Sequence, residues 1–246
     1  MAVKITGQRA DLALVERKFF ASRAKAQEAI AAGLVRVDGR VLRKASEPVD
    51  AETKIEAEAP YPWVSRGGVK LVAALDAFGF DPAGRYCLDI GSSTGGFAHV
   101  LLSRGAAEVV CVDVGHGQLH PNLARDSRIK LREGTDARRL TSESLAPAPS
   151  FLSCDVSFIS LTLVLPVVLP LTAPDTTLVV LIKPQFEAGP ERVCKGIVKD
   201  EAVRREVCMK IEALIESLGW RVVGTIRSPI EGGDGNCEFL LGARRG

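Results

Sequence analysis

Two charged residues abruptly end buried apolar runs. Asp155 follows Phe151-Leu152-Ser153-Cys154, and Lys183 follows Leu178-Val179-Val180-Leu181-Ile182. A lone lysine at such a place would carry a desolvation penalty, which a carboxylate on the adjacent strand offsets. Lys70 and Glu238 fall at or beside other predicted element ends on the same side of the sheet. The four make a constellation of two ammonium groups and two carboxylates. A lysine of lowered pKa, fixed in its approach, suits the work of a base toward a weak nucleophile such as a hydroxyl. An ion-pair network that only closes a sheet edge is the plain alternative.

A second constellation lies upstream. Leu88-Asp89-Ile90-Gly91-Ser92-Ser93-Thr94-Gly95-Gly96-Phe97 reads as a strand, a glycine turn and a helix start, where an open α/β sheet binds nucleotides. The spacing departs from GxGxxG and lacks the lysine of a phosphate-binding loop, which disfavours a dinucleotide or ATP. Gly91 and Gly95 would instead let the backbone pass close to an uncharged adenosine and its amino-acid tail. Asp113, at the end of the next strand, is placed to accept from ribose hydroxyls. Asp136, after the third strand, could receive an adenine amino group or serve as a helix cap. The candidate cofactor contacts are Asp89, Gly91, Ser92, Gly95, Gly96, Phe97, Asp113, Asp136 and Asp155.

These residues need a parallel sheet to hold them, and the pattern supplies one. Strands are predicted over Tyr86–Ile90, Glu108–Val114, Ile129–Glu133, Phe151–Asp155, Leu178–Lys183, Arg221–Arg227 and Cys237–Gly242, with helices over Val69–Phe78, Gly96–Ser103, Leu161–Val168 and Ala202–Ser217. The alternation is that of an α/β fold with a doubly wound, Rossmann-like sheet. Its last two strands would form an antiparallel hairpin joined by Gly232-Gly233-Asp234-Gly235.

Ahead of it stands a smaller α+β unit. Apolar residues recur at helical spacing from Asp11 to Phe20, Ser22 can cap a second helix running through Ala31, and Asp38-Gly39 between alternating strands suits a type I′ hairpin. Residues 1–44 carry a net charge of +6, residues 45–60 carry −4, and the remainder is neutral. Arg36, Arg40 and Arg43 cluster around the predicted hairpin, so phosphate contacts are expected there, with a solvated charged face as the alternative. Boundaries are expected at 1–60 for this unit, 61–64 for a linker and 65–246 for the α/β domain.

Six cysteines without CxxC or metal-ligand spacing read as reduced thiols of a cytoplasmic protein. The longest apolar run, Leu163 to Leu171, is short and holds two prolines, so no membrane span is expected. His116 and His120 are four apart but sit in a loop ending at Pro121, and no metal site is expected.

Lys70, Asp155, Lys183 and Glu238 fall in the order of the Lys-Asp-Lys-Glu tetrad of FtsJ-like ribose 2′-O-methyltransferases. Ser65-Arg66-Gly67-Gly68-Val69-Lys70-Leu71, Leu88–Phe97, Asp155-Val156-Ser157-Phe158-Ile159-Ser160-Leu161 and Lys183-Pro184-Gln185-Phe186-Glu187 resemble the signature blocks of the TlyA, or hemolysin A, family. The N-terminal unit resembles that family's S4-type RNA-binding domain, and Tyr61-Pro62-Trp63-Val64 its connector. The resemblance implies a seven-stranded methyltransferase sheet using S-adenosylmethionine, and cytidine 2′-O-methylation of ribosomal RNA, free or in a subunit. It implies Lys183 as base or hydroxyl-orienting residue, Asp155 as its partner, and Lys70 and Glu238 as residues aligning the target ribose. RNA contacts are expected from Arg23, Lys25, Arg36, Arg40, Arg43 and Arg66. Dual-subunit members extend beyond the last strand, whereas this sequence stops at Gly246, so large-subunit RNA is expected. The alternatives are a non-catalytic RNA-binding assembly factor, a base or small-molecule methyltransferase, and a pore-forming hemolysin.

Overall fold

The computed structural model describes residues 7–232 and 235–245. The chain divides into two compact units after Pro62.

In the N-terminal unit, β1 (Gln8–Arg9) leads into α1 (Ala10–Glu16), followed by α2 (Arg23–Ala31), β2 (Val35–Val37), β3 (Arg40–Val41), β4 (Pro48–Val49) and β5 (Ile55–Ala57). The predicted first helix stops early. Lys18 turns left-handed at φ 63° and the Phe19 amide donates back to Leu14 O at 2.9 Å, which brings Phe20 into the core. Ser22 caps α2 as its residue type requires, its hydroxyl accepting from the Lys25 amide. Asp38 and Gly39 both adopt positive φ, 47° and 78°, the signature of a type I′ turn. Leu14, Ile30, Val35 and Leu42 fill the core.

The expected arginine cluster does not form as one patch. Arg36 registers with Val41 and Arg40 with Val37, and cross-strand partners share a face, so Arg36 and Arg40 point to opposite faces of the hairpin. Arg40 is also ion-paired with Glu47 at 3.0 Å.

The second unit is a seven-stranded sheet in the order β11-β12-β10-β9-β6-β7-β8. Its elements are α3 (Gly67–Phe78), β6 (Tyr86–Ile90), α4 (Gly96–Ser103), β7 (Glu108–Val112), α5 (Pro121–Ala124), β8 (Ile129–Arg132), β9 (Phe151–Cys154), α6 (Leu161–Val168), β10 (Thr177–Ile182), α7 (Pro184–Glu187), α8 (Glu201–Ser217), β11 (Trp220–Arg227) and β12 (Phe239–Arg245). Strands β8, β7, β6, β9 and β10 are parallel, and β12 runs antiparallel to both β10 and β11. The order reverses between β6 and β9, which opens a crevice at their carboxyl ends. The last predicted strand begins two residues later than its sequence suggested, leaving Cys237 and Glu238 in the approach to β12; Gly233 and Asp234 of the expected connection lie outside the described residues.

Apolar residues fill both faces of the sheet. One cluster joins α6 and α8 to Leu88, Leu152, Val180 and Leu241; the other joins α3 and α4 to Val109, Phe151, Val179 and Leu240. On the second face Phe78 lies over Gly242, where any Cβ would collide with its ring. That notch seats α3 against β12.

One charge is buried in the core of the N-terminal unit. Asp11 is fully buried and receives Arg9 at 3.0 Å, Gln27 at 2.7 Å and Arg23 at 3.0 Å. The Arg9 hydrogen bonds hold its carboxyl well below the usual range against the cost of burial, with Gln27 and Arg23 adding to them. A carboxyl lowered in the folded state stabilises above its unfolded value and loses that contribution as pH falls toward the folded one. Asp11→Asn should therefore cost about 1–3 kcal/mol at pH 7 and flatten the acid side of the stability profile of this unit, read by thermal unfolding from neutral pH downward. A variant whose profile parallels wild type would show the network to be energetically silent.

Candidate active site

The crevice between β6 and β9 holds a cleft of about 640 Å³. Its apolar walls include Ile90, Val112, Ala137, Val156 and Ile159, and three carboxylates line it, Asp113, Asp136 and Asp155. Among the described residues, the one cationic side chain in the lining, Arg138, is ion-paired with Asp136 at 2.6 Å. Such a cleft disfavours phosphate and suits a ligand with a flat apolar ring and positive charge, as S-adenosylmethionine has in its adenine, sulfonium and ammonium. Backbone amides pin Asp113 in a position to receive such a ligand, since its oxygens accept the Ser93 amide at 2.8 Å and the Gly115 amide at 2.7 Å.

Of the nine expected cofactor contacts, the cleft is lined by Gly91, Asp113, Asp136 and Asp155. Ser92, Gly96 and Phe97 are buried behind the loop, Phe97 within the apolar cluster under α4. The two loop glycines also meet a packing need. A Cβ on Gly91, at φ 77°, would strike the Asp155 carbonyl, and one on Gly95, at φ 91°, would strike Leu123 and Leu119. Gly91 thus lets the turn after β6 nest against the end of β9. Asp136 caps a short turn, accepting the Arg138 amide at 2.9 Å, so its residue type is accounted for locally.

A second cleft of about 390 Å³ adjoins the first and shares Ser157 and Phe158 with it. Lys70, Lys183 and Glu238 line it. The four candidate catalytic residues thus surround two abutting clefts as two ion pairs. Lys183 Nζ meets Asp155 Oδ1 at 2.6 Å and donates to Ser157 Oγ at 2.7 Å. Lys70 Nζ donates to Glu238 Oε2 at 2.5 Å, with side chains 10% and 3% exposed. Adjacent parallel strands β9 and β10 bring the first pair together; the seat of α3 on β12 brings the second.

The residue-type reading missed Ser157, Phe158 and Ser93. Phe158 is 91% exposed, adopts φ 64° and packs its ring 5.2 Å from Phe186, while Ser93 adopts φ 46°. Both are conformations that side chains rarely take, and such strain gathers at functional rims. The signal in the sequence was a polar and aromatic stretch directly after a buried strand.

Asp89 occupies a different place from the one expected. Its side chain is fully buried, lies outside both clefts, and accepts the Ser153 hydroxyl at 2.7 Å from its registered partner on β9. Burial pushes its carboxyl up to about 7, against the Ser153 hydrogen bond and with Asp155 adding to the rise. A carboxyl raised in the folded state favours folding while protonated, so this contribution declines as pH climbs from its unfolded value toward the folded one. Relative to Asp89→Asn, the wild type should lose up to about 4 kcal/mol of stability between roughly pH 4 and 7, at 1.36 kcal/mol per unit. Denaturant unfolding across that window checks this, and parallel curves would contradict it.

Comparison with known proteins agrees with this geometry. The FtsJ-like methyltransferase family matches residues 63–245, and the S4 domain family matches residues 8–55. The chain is 44% identical over 96% of its length, and 89% of the relative's, to the 16S/23S rRNA (cytidine-2′-O)-methyltransferase TlyA of Mycobacterium tuberculosis. It is 39% identical over 72% of its length, and 69% of the relative's, to the 23S rRNA (cytidine-2′-O)-methyltransferase TlyA of Campylobacter jejuni. A solved hemolysin-type structure from Streptococcus thermophilus superposes with a TM-score of 0.77 at 37% identity, covering 97% of this chain and 88% of that one. With an FtsJ-like family match over most of the chain, an S4 match ahead of it and a relative 44% identical over 96% of its length, the chain belongs to the TlyA family of FtsJ-like methyltransferases.

Proposed function

We propose that the protein transfers a methyl group from S-adenosylmethionine to the 2′-hydroxyl of a cytidine ribose in large-subunit ribosomal RNA. The observation that carries the reading is the Lys183–Asp155 pair at the seam of the two clefts, one acidic and suited to a cationic cofactor, the other holding Lys70 and Lys183. Both rRNA-modifying relatives carry 23S in their names, which favours the large subunit. Work on ribosomal RNA would place the protein in the cytoplasm.

S-adenosylmethionine supplies an electrophilic methyl group when bound; Asp113 and the apolar walls of the first cleft would hold it. A lysine Nζ has three positions beyond its stem. In Lys183 the hydrogen bond to Ser157 takes one of them, while the Asp155 carboxylate lies in ion-pair contact. A remaining position, a hydrogen in the ammonium or a lone pair in the amine, would orient the 2′-hydroxyl or take its proton. Asp155 fixes the lysine and balances its charge. Lys70 and Glu238, locked to each other, form a rigid second wall that aligns the ribose.

RNA contacts from the N-terminal unit are proposed for Arg23, Lys25, Arg36, Arg40 and Arg43, with Arg66 ahead of α3. Arg23 and Arg40 already hold carboxylates, Asp11 and Glu47. Arg36 spends one guanidinium nitrogen on the Gly39 carbonyl at 3.1 Å and remains exposed, as does Arg43. Replacing Arg36 and Arg43 together should weaken RNA binding, reduce its log–log salt slope by up to roughly 0.9 per lost phosphate contact, and leave cofactor affinity unchanged. An unchanged slope would return them to a solvated face.

Lys183→Ala should abolish methyl transfer in a single-turnover assay, a loss of about 10²–10⁴, while calorimetric affinities for cofactor and RNA hold. Asp155→Asn should be nearly as severe, and the double variant far less than additive. Near wild-type turnover in folded Lys183→Ala would remove this mechanism. Absence of cofactor binding by wild type, RNA present, would remove the enzyme reading itself.

A further inference from the structure

The loop after β9 and the turn after β10 are tied together twice. The first tie is Lys183 on Asp155 and Ser157, described above. The second is Glu187, four residues beyond Lys183, against Ser160 and Leu161, which stand five and six beyond Asp155. Glu187 Oε2 receives the Ser160 hydroxyl at 2.5 Å, and Oε1 receives the Leu161 amide at 2.7 Å. Behind it, Lys210 on α8 donates to the Glu187 carbonyl at 3.3 Å, anchoring the turn to a long helix.

Capping alone does not call for this carboxylate. Ser160 already caps α6 through the Thr162 amide at 3.1 Å. Glu187 is only 7% exposed, and burial raises its carboxyl against the Ser160 and Leu161 hydrogen bonds. A buried carboxylate carries a desolvation cost that a neutral residue would avoid. In return, one side chain spans the two segments that carry the two members of the catalytic pair, fixing their separation. It lines neither cleft.

We infer that Glu187 is a positioning residue for methyl transfer, holding the Asp155 loop and the Lys183 turn in register so that the Lys183 amino group keeps its approach to the substrate hydroxyl. The inference rests on the reading of Lys183 and Asp155 as the catalytic pair. A base displaced by a fraction of its hydrogen-bond length loses rate without losing ground-state affinity. Gln at this position keeps an acceptor for the Leu161 amide and a polar partner for Ser160; Ala keeps neither.

The test is methyl transfer by the full-length protein at a temperature well below its unfolding midpoint, with cofactor affinity and KM for RNA measured alongside. Glu187→Ala should lower the single-turnover rate by roughly ten- to a hundredfold, with cofactor affinity and KM within about twofold. Glu187→Gln should recover most of the loss. Ser160→Ala should lose part of it and add little on top of Glu187→Ala, because the two remove one contact. A structural role alone would lower the unfolding midpoint and leave the rate of folded enzyme unchanged, which overturns the inference. Should Glu187→Ala not fold, an unchanged rate in Ser160→Ala overturns it equally. Full activity in Lys183→Ala would instead strike the catalytic reading beneath it, whereas an inactive Lys183→Ala beside a fully active Glu187→Ala strikes the positioning role by itself.

Discussion

An ammonium group cannot end a buried strand or enter a buried helix face without a carboxylate within reach. This molecule meets that requirement twice, and the rest of the catalytic unit follows from it. The Lys183–Asp155 pair requires β9 and β10 to be neighbours, parallel, and in a register that pairs Cys154 with Val180, so that Asp155 follows the end of β9 within reach of the lysine that ends β10. The Lys70–Glu238 pair requires a helix from before the sheet to lie beside the last strand of the chain, 168 residues away in sequence. Phe78 settling over Gly242 supplies that approach, since only a residue without a Cβ leaves room for the ring. Removing one member of either pair would strand a charge, so each pair acts as a latch on the topology as well as a set of reactive groups.

The same electrostatic logic sorts the two clefts. The first gathers Asp113, Asp136 and Asp155 and has its Arg138 guanidinium neutralised by Asp136. The second holds Lys70 and Lys183 against Glu238. A cationic cofactor and a polyanionic nucleic acid, bound as proposed, would lie on different sides of one loop, with Ser157 and Phe158 common to both clefts. Of two strained backbone positions, Phe158 lies where they adjoin and Ser93 on the wall of the first.

Much of this was legible in the sequence. Buried runs ended by a charge identified Asp155 and Lys183, and helix and turn signals at Ser22 and Asp38-Gly39 located the N-terminal elements. What failed to read was direction. Asp89 and Asp155 both belong to strand ends, yet Asp89 falls one residue inside β6, where alternation turns it to its partner Ser153 and away from the crevice. Gly91 and Gly95 were expected to admit a ligand; their missing Cβ atoms also admit the Asp155 carbonyl and two leucines, a packing need invisible in the sequence. The arginines of the hairpin are near one another in sequence, but pleating sends Arg36 and Arg40 to opposite faces. The contacts of Glu187 could not be read, because its partners lie 26 and 27 residues earlier and only the sheet brings them near.

If the Lys183–Asp155 pair makes this chain a ribose methyltransferase of large-subunit ribosomal RNA, its product can be read directly in cells. The most direct measurement is a map of ribose methylation in 23S rRNA from cells lacking the protein, complemented with wild type or with Lys183→Ala at equal abundance. A 2′-O-methylated cytidine should appear with wild type and stay absent with the variant. A map that is identical in all three strains, or one restored by Lys183→Ala, would contradict it.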